Sequence, residues 1–405
     1  RRRHTRYGTV TGVQTCALPI SSQSATTLTF TAINAGGTIY VENAGGSATS
    51  TESYTNSGYI SNAATDWNTA STWLGSAVPA ASSAVTINHA VTVNGSVTNA
   101  ASTVTVNSTK SLTFGASGAL TSTTVTNNGS FVMTAGGTLT VASGGTLANG
   151  SNTFTGGAGT VAFAGSGTVT GTIAFNNVTL AGAVNFGTAS TINGTLTINS
   201  GGSVSTNAPI YGTSSKLYYY SGGVYGRGTE WSASSGTVGT TAGYPNDVQI
   251  GNNTTLNYPN TGTGAFSTTY SVGRDFTIDA GSSFYMDYGG GSSNKTGGLN
   301  VVRDISIAGN LSLGSGAGGD LRVGRNWTHT TGTFQDNSRA VSFNGATGEQ
   351  TITNASGETF SYLTVNKATS GGVTLAGAVT VSNTLTLTKG IVTTTSSNQI
   401  GRAHV

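Results

Sequence analysis

The sequence predicts an all-β chain wound into an elongated parallel β-solenoid, a β-helix of the right-handed kind that parallel crossovers favour. Three observations carry this expectation. Apolar residues recur at every second position in runs of only three to five residues, the period of a strand with one buried and one wet face. Many runs end near Asn-Gly, Gly-Gly or Ser-Gly-Gly, which supply positive φ or Asx turns. Between 21 and 398 no 3.6-residue apolar stripe is present.

The elements follow in order. Residues 21–60, with TLTF at 27–30, hold one or two strands and read as the end of a preceding β module. Residues 61–209 open with DWNTASTWLGSAVP (66–79) and continue as dense coils: VTIN (85–88), VTVN (91–94), TVTVN (103–107), SLTF (111–114), LTV (139–141), VAF (161–163) and TLTIN (195–199). Residues 210–334 keep strands such as FTI (276–278), ISI (305–307), LSL (311–313) and LRV (321–323). They also hold ten of the 15 tyrosines and seven acidic residues, so this section is expected to carry larger loops. Residues 335–399 return to plain coils with LTV (363–365) and TLTLT (384–388). Sandwich strands usually run longer, and a propeller repeats a blade motif every 40 residues or so, which is not found. A solenoid coil of roughly 18–25 residues needs only small corner residues and one or two inward apolar side chains per strand. Asn and Ser are expected to hydrogen-bond at equivalent positions of successive coils. The heptapeptide VTLAGAV occurs at 178–184 and again at 373–379, reuse that suits a repetitive surface protein better than an enzyme with one differentiated face.

The two ends read as foreign. IGRAHV (400–405) can be encoded ATC GGA AGA GCA CAC GTC, whose opposite strand, one base out of frame, gives TCALPI (15–20). VTGVQTCALPI (10–20) resembles a translated sequencing adapter, so residues 1–20 and 400–405 are expected to be adapter-derived and are set aside. Of the 16 basic residues, Arg1, Arg2, Arg3, Arg6 and Arg402 leave with them, so 11 face 13 acidic residues. The remaining chain has no basic patch, which argues against nucleic-acid binding. No apolar run reaches the roughly 20 residues of a membrane span. The one cysteine, Cys16, lies in the foreign segment, which leaves neither disulfides nor thiol chemistry. Charged residues are 7% of the chain, against about 25% in ordinary domains.

Constellations for chemistry are sparse. His89 and His329 have no second histidine at ligand spacing. Hydrolysis of polysaccharide needs two carboxylates roughly 5–10 Å apart. The Arg-Asp dipeptides at 274–275 and 303–304 point to opposite faces if extended, so outer-face ion pairing is the expected role and the chain is expected not to be an enzyme. Asp279, Asp287 and Asp320 are the candidate calcium ligands, because hard cations take carboxylate and carbonyl oxygens. The loop GSGAGGDLRVG (314–324) only loosely resembles a glycine-rich calcium loop. The stretch KLYYYSGGVYGRGTEW (216–231) is the best candidate for recognition, through Tyr218, Tyr219, Tyr220, Tyr225 and Trp231. Exposed aromatics stack on sugar rings or anchor proteins, and their alternative is to fill a wider core. The runners-up are therefore a carbohydrate-binding module or polysaccharide-degrading β-helix centred on 210–334, and an ice-binding solenoid presenting rows of threonine.

The segment DWNTASTWLGSAVPAASSAVTINHAVTVNG (66–95) resembles an opening module of very large secreted proteins of Bacteroidetes-type bacteria. RGTEWS (227–232), GYPNDVQIGNNTTLN (243–257), GDLRVGRNWTHTTGTF (319–334) and residues 340–392 are similar to later parts of the same repetitive proteins. The resemblance implies an exported, adhesin-like β-solenoid at the cell surface. Its function would be a structural and adhesive stalk, with surface glycans or proteins of host or neighbouring cells as partners, and it defines no catalytic residues.

Overall fold

A computed structural model describes residues 20–23, 28–30, 40–43, 46–49 and 58–395, apart from 151, 261–262, 290–293, 347 and 368–370. Apart from Ile20, the adapter-like segments 1–20 and 400–405 lie outside the described residues. Before residue 58 the backbone forms two antiparallel pairs, Ile20–Gln23 with Leu28–Phe30 and Tyr40–Asn43 with Gly46–Thr49. From Gly58 onward the ladders form a mostly parallel, all-β solenoid, as the alternation predicts. The chain divides into two compact units, Arg1–Val141 with Leu147–Gly159 and Ala142–Thr146 with Thr160–Val405. The expected borders at 210 and 335 both fall inside the second unit.

In the first unit, Gly58–Ile60, Ala84–Ile87, Ala101–Val106 and Ala119–Asn127 stack in parallel, with Tyr59, Val85, Val104 and Val125 in register. A second ladder aligns Val91, Leu112, Phe131 and Phe154. Burial alternates along each strand, as in Ala84–Ile87, where Val85 and Ile87 point inward and Thr86 does not. The opening segment is built into this stack. Trp67 and Trp73 are fully buried with rings 4.9 Å apart, and the Trp73 indole donates to the Trp67 carbonyl at 2.8 Å. Asp66 ties the segment down by accepting from the Asn68 and Asn94 amides.

The second unit has three strand faces per coil over most of its length. Its first face runs from Thr160–Phe163 to Ile391–Thr394 as one continuous parallel ladder. Its inward column reads Val161, Val178, Leu196, Leu217, Val248, Phe276, Ile305, Trp327 and Ile352, each at most 2% exposed. Full burial of one such side chain is worth about 1.5–3 kcal/mol, so the column is a principal cohesive element of the unit. Side-chain ladders lie along its edges. Asn177 accepts from the Thr195 amide one rung on, and Asn326 from that of Thr351, as expected for a coil that reuses one corner geometry.

Coil length is uneven. Successive steps along the inward column are 17 residues (Val161 to Val178), 18 (to Leu196) and 21 (to Leu217). They rise to 31 (to Val248), 28 (to Phe276) and 29 (to Ile305), then fall to 22 (to Trp327) and 25 (to Ile352). Along this column the 18–25 expected from the sequence is exceeded only across the tyrosine-rich section. The added chain folds back against the coil there. Trp231, Tyr258, Phe276 and Phe284 are fully buried, with Trp231 5.9 Å from Tyr258 and Tyr258 5.3 Å from Phe284. The two VTLAGAV copies occupy the same kind of corner eight coils apart, each passing from a first-face strand (Asn177–Leu180, Gly372–Leu375) to the strand that follows it in the coil (Ala183–Asn185, Val379–Lys389).

Candidate functional site

The strand Lys216–Tyr219 decides where its tyrosines go. Leu217 belongs to the inward column, so alternation places Tyr219 inside and leaves Lys216, Tyr218 and Tyr220 outside. Tyr219 is fully buried and Tyr220 is 40% exposed. Trp231 is also fully buried, and its indole donates to the Ser271 carbonyl at 3.1 Å. Of the five aromatics singled out in the sequence, Tyr219 and Trp231 therefore belong to the core and Tyr225 is half-buried beside them. Only Tyr218 and Tyr220 present rings to the outer face.

Inside, the tyrosines surround a carboxylate that sequence reasoning passed over. Glu230 is fully buried. Its Oε1 accepts from the Tyr219 hydroxyl at 3.0 Å and the Gly228 amide at 2.7 Å, and its Oε2 from the Tyr225 hydroxyl at 3.3 Å. The Tyr211 hydroxyl donates to its carbonyl at 2.8 Å. Burial pushes the Glu230 carboxyl above its usual range, opposed by hydrogen bonds from the Gly228 amide and the Tyr219 hydroxyl and by the nearby Arg227 charge. Burial and the Glu230 charge likewise raise Tyr211, Tyr219 and Tyr225. Arg227 sits 3.8 Å from the Tyr270 ring centroid and donates through Nε to the Tyr258 carbonyl at 3.1 Å. These contacts fix the long loop to the core. The sequence clue to them is a charged pair, Arg227 and Glu230, set within an aromatic run.

Along the edge of the first face, charged residues stack rung on rung. Asp247, Asp275 and Asp304 each accept through Oδ1 from the backbone amide one coil further on, at 3.2, 3.2 and 3.0 Å. Arginines fill the neighbouring column. Arg274 grips Asp247 with both Nε and Nη2, at 2.8 and 2.6 Å, and its Nε lies 3.1 Å from Asp275. Arg325 grips Asp304 in the same bidentate way, and Arg303 lies 3.6 and 3.7 Å from Asp275 and Asp304. Adjacent rungs stand about 4.8 Å apart, close to the spacing hydrolysis requires. A hydrolase pair also needs one acid kept protonated. For Asp304, burial raises the carboxyl, but the Arg325 hydrogen bond, the Asn326 amide and the Arg325 and Arg303 charges together bring it below its usual range.

The three candidate calcium ligands stand apart. Asp279 follows a first-face strand and accepts from Gln249 Nε2 at 2.8 and 3.0 Å. Asp287 follows a second-face strand and accepts from Asn337 Nδ2 at 3.2 Å. Asp320 precedes a third-face strand and accepts from the Ala340 amide at 3.0 Å. Among the described residues, no three His, Cys, Asp or Glu side chains form a group that could hold a metal ion. His89 contacts the Ser61 carbonyl at 2.8 Å. His329 and the Trp327 indole meet on Glu358 Oε2 at 2.8 and 2.9 Å. Both histidines thus have packing partners.

The outward column at the centre of the first face reads Ala162, Thr179, Thr197, Tyr218, Gln249, Thr277, Ser306, Thr328 and Thr353. The threonine row required of an ice-binding face is thus broken in mid-ladder by a tyrosine and a glutamine. Among the described residues no helix is long and apolar enough to cross a membrane. The chain matches no protein-family model, no curated protein and no solved structure.

Proposed function

We propose that this chain is a structural and adhesive stalk of an exported bacterial surface protein, and that it performs no catalysis. The observation that supports this reading best is the charged edge of the first face. Its acidic side chains are engaged by arginine and by the amide of the next coil, so they serve cohesion of the stack. The outer strand positions beside them are mostly short Thr and Ser. A scaffold needs such an arrangement, because each rung is held by backbone and side-chain ladders while the outer surface is free to vary.

The reading is tested by incubating the protein with a panel of plant, algal and bacterial polysaccharides and measuring reducing ends. No release above buffer is expected, and sustained release abolished by substituting a surface aspartate would overturn the non-catalytic reading. Display is tested separately, by antibody labelling of intact cells that express the gene. Surface signal is expected, and signal only after permeabilisation would refute export.

A further inference from the structure

We infer that the outer first face carries a binding site for a neutral glycan chain, built on Tyr218 and Tyr220 and running across three consecutive rungs. The inference rests on the stalk reading above and supplies its ligand.

The geometry is specific to this place in the ladder. Tyr218 lies on the strand Lys216–Tyr219 and Tyr220 just past its end, with ring centroids 5.1 Å apart and planes inclined at 56°. They form an open aromatic corner. Gly251, on the next rung, makes the Tyr218 pose feasible. A Cβ there would lie 2.5 Å from the Tyr218 hydroxyl oxygen, 2.9 Å from its Cε2 and 2.5 Å from Asp279 Oδ2. The Tyr218 ring thus leans along the solenoid axis over a glycine, with its hydroxyl beside a carboxylate two rungs away. Beside it runs a polar line. Lys216 Nζ donates to Gln249 Oε1 at 2.7 Å, and Gln249 Nε2 donates to both Asp279 oxygens.

The chemistry selects the ligand. Sugar rings present an apolar face for stacking and a rim of hydroxyls that both donate and accept. The corner supplies aromatic faces, and the line beside it supplies an ammonium, an amide and a carboxylate with spare lone pairs. One positive and one negative group in the same patch favour an uncharged ligand, since a polyanion would meet Asp279 and a polycation Lys216. The rung repeat of about 4.8 Å is close to the length of one pyranose, so consecutive sugars meet consecutive rungs. Elsewhere in this column the outward residues are Ala, Thr and Ser, which offer no comparable stacking surface.

The test is calorimetric titration of the whole chain with cellohexaose, chitohexaose, laminarihexaose and mannohexaose, with polygalacturonate as the anionic comparison. At least one neutral hexaose is expected to bind. Tyr218→Ala and Tyr220→Ala should each weaken it by roughly threefold to tenfold, the worth of one aromatic contact. Gly251→Val should weaken it as well, by displacing the Tyr218 ring while both tyrosines remain. Tyr362→Ala removes a comparably exposed ring elsewhere (39%) and should leave affinity unchanged. Unchanged circular dichroism and melting temperature identify variants that still fold. Absence of binding by every neutral hexaose, binding of polygalacturonate alone, or affinity indifferent to Tyr218 and Tyr220 would overturn the inference. None of these results releases reducing ends, so the stalk reading would stand or fall by its own assay.

Discussion

At the scale of single residues, Glu230 is the most informative side chain. It is a carboxylate with no exposed surface, held by two tyrosine hydroxyls and a backbone amide. Removing one partner from a buried polar set leaves the others unpaired, which commonly costs about 3–5 kcal/mol when a charge is involved. Glu230→Ala is therefore expected to lower stability by about 3 kcal/mol in chemical denaturation. Glu230→Gln keeps an acceptor for Tyr219 and Gly228 and removes an ionisable group from the core. At Tyr225 the amide NH2 replaces the accepting oxygen and the hydroxyl turns to accept, so a change within about 1 kcal/mol is expected. Equal losses for the two variants would mean that the charge itself is required. Tyr219 shows what was legible at this scale. Once Leu217 is assigned inward, the run KLYYY sorts itself, but which of its residues faces inward depends on neighbouring rungs that a single strand does not reveal. Glu230 left only a faint signal, the charged pair it makes with Arg227 inside an aromatic run, since nothing local distinguishes a buried glutamate from one on a loop.

At the scale of elements, two side-chain ladders make different predictions. The Asp247–Asp275–Asp304 stack couples rungs both by charge and by hydrogen bonds to the backbone. Its arginines are 37–44% exposed, so each ion pair is expected to contribute only about 0.2–1 kcal/mol and to weaken in salt. Asp275→Asn keeps the acceptor for the Asp304 amide and should cost under about 1 kcal/mol. Asp275→Ala orphans that amide and should cost more, a difference readable by urea denaturation. The folded-state pKa of Asp304 is lowered, so its stabilisation is present above the unfolded value of about 3.9 and is lost as pH falls through the folded one. Between the coils at 327 and 358 the sign reverses. The hydrogen bond to Glu358 raises His329, outweighing the opposing effect of burial, and the Glu358 charge adds to it. A raised pKa makes this contribution complete below the unfolded value of about 6.5 and lost as pH rises through the folded value. The stability difference between the wild-type chain and His329→Asn should therefore shrink as pH rises above about 6.5. A difference that is flat or grows with pH would show that His329 is not protonated in this contact. The dipeptides at 274–275 and 303–304 announced ion pairs in the sequence. Their main reach is between coils, which required the register.

At the scale of the molecule, the parallel stack and its inward columns were legible, because alternation survives wherever a strand joins a ladder. Coil length was not. The extra chain between Gly226 and Asp247 forms no ladder strand, and its anchors Arg227, Glu230 and Trp231 are isolated residues without period. A stack of this kind is held by nearest-neighbour contacts, so protection should be graded. Amides from Leu196 to Ile352 on the first face are expected to exchange slowest. Those in Val379–Lys389 should exchange fastest, because Leu385 and Leu387 are 44% and 53% exposed in the last described rungs. Uniform exchange across the second unit would show that it opens as a single block. The unequal coils carry a further consequence. Whether a turn of the second unit consumes 17 residues or 31, its first-face strand still pairs in register with the next. Axial advance is thus uncoupled from the amount of polypeptide used, and surplus sequence is diverted sideways into excursions that leave the pitch alone. Foreign peptides spliced into the bends around residues 236–240 should accordingly be carried as passengers, with the ladder above and below them unaltered.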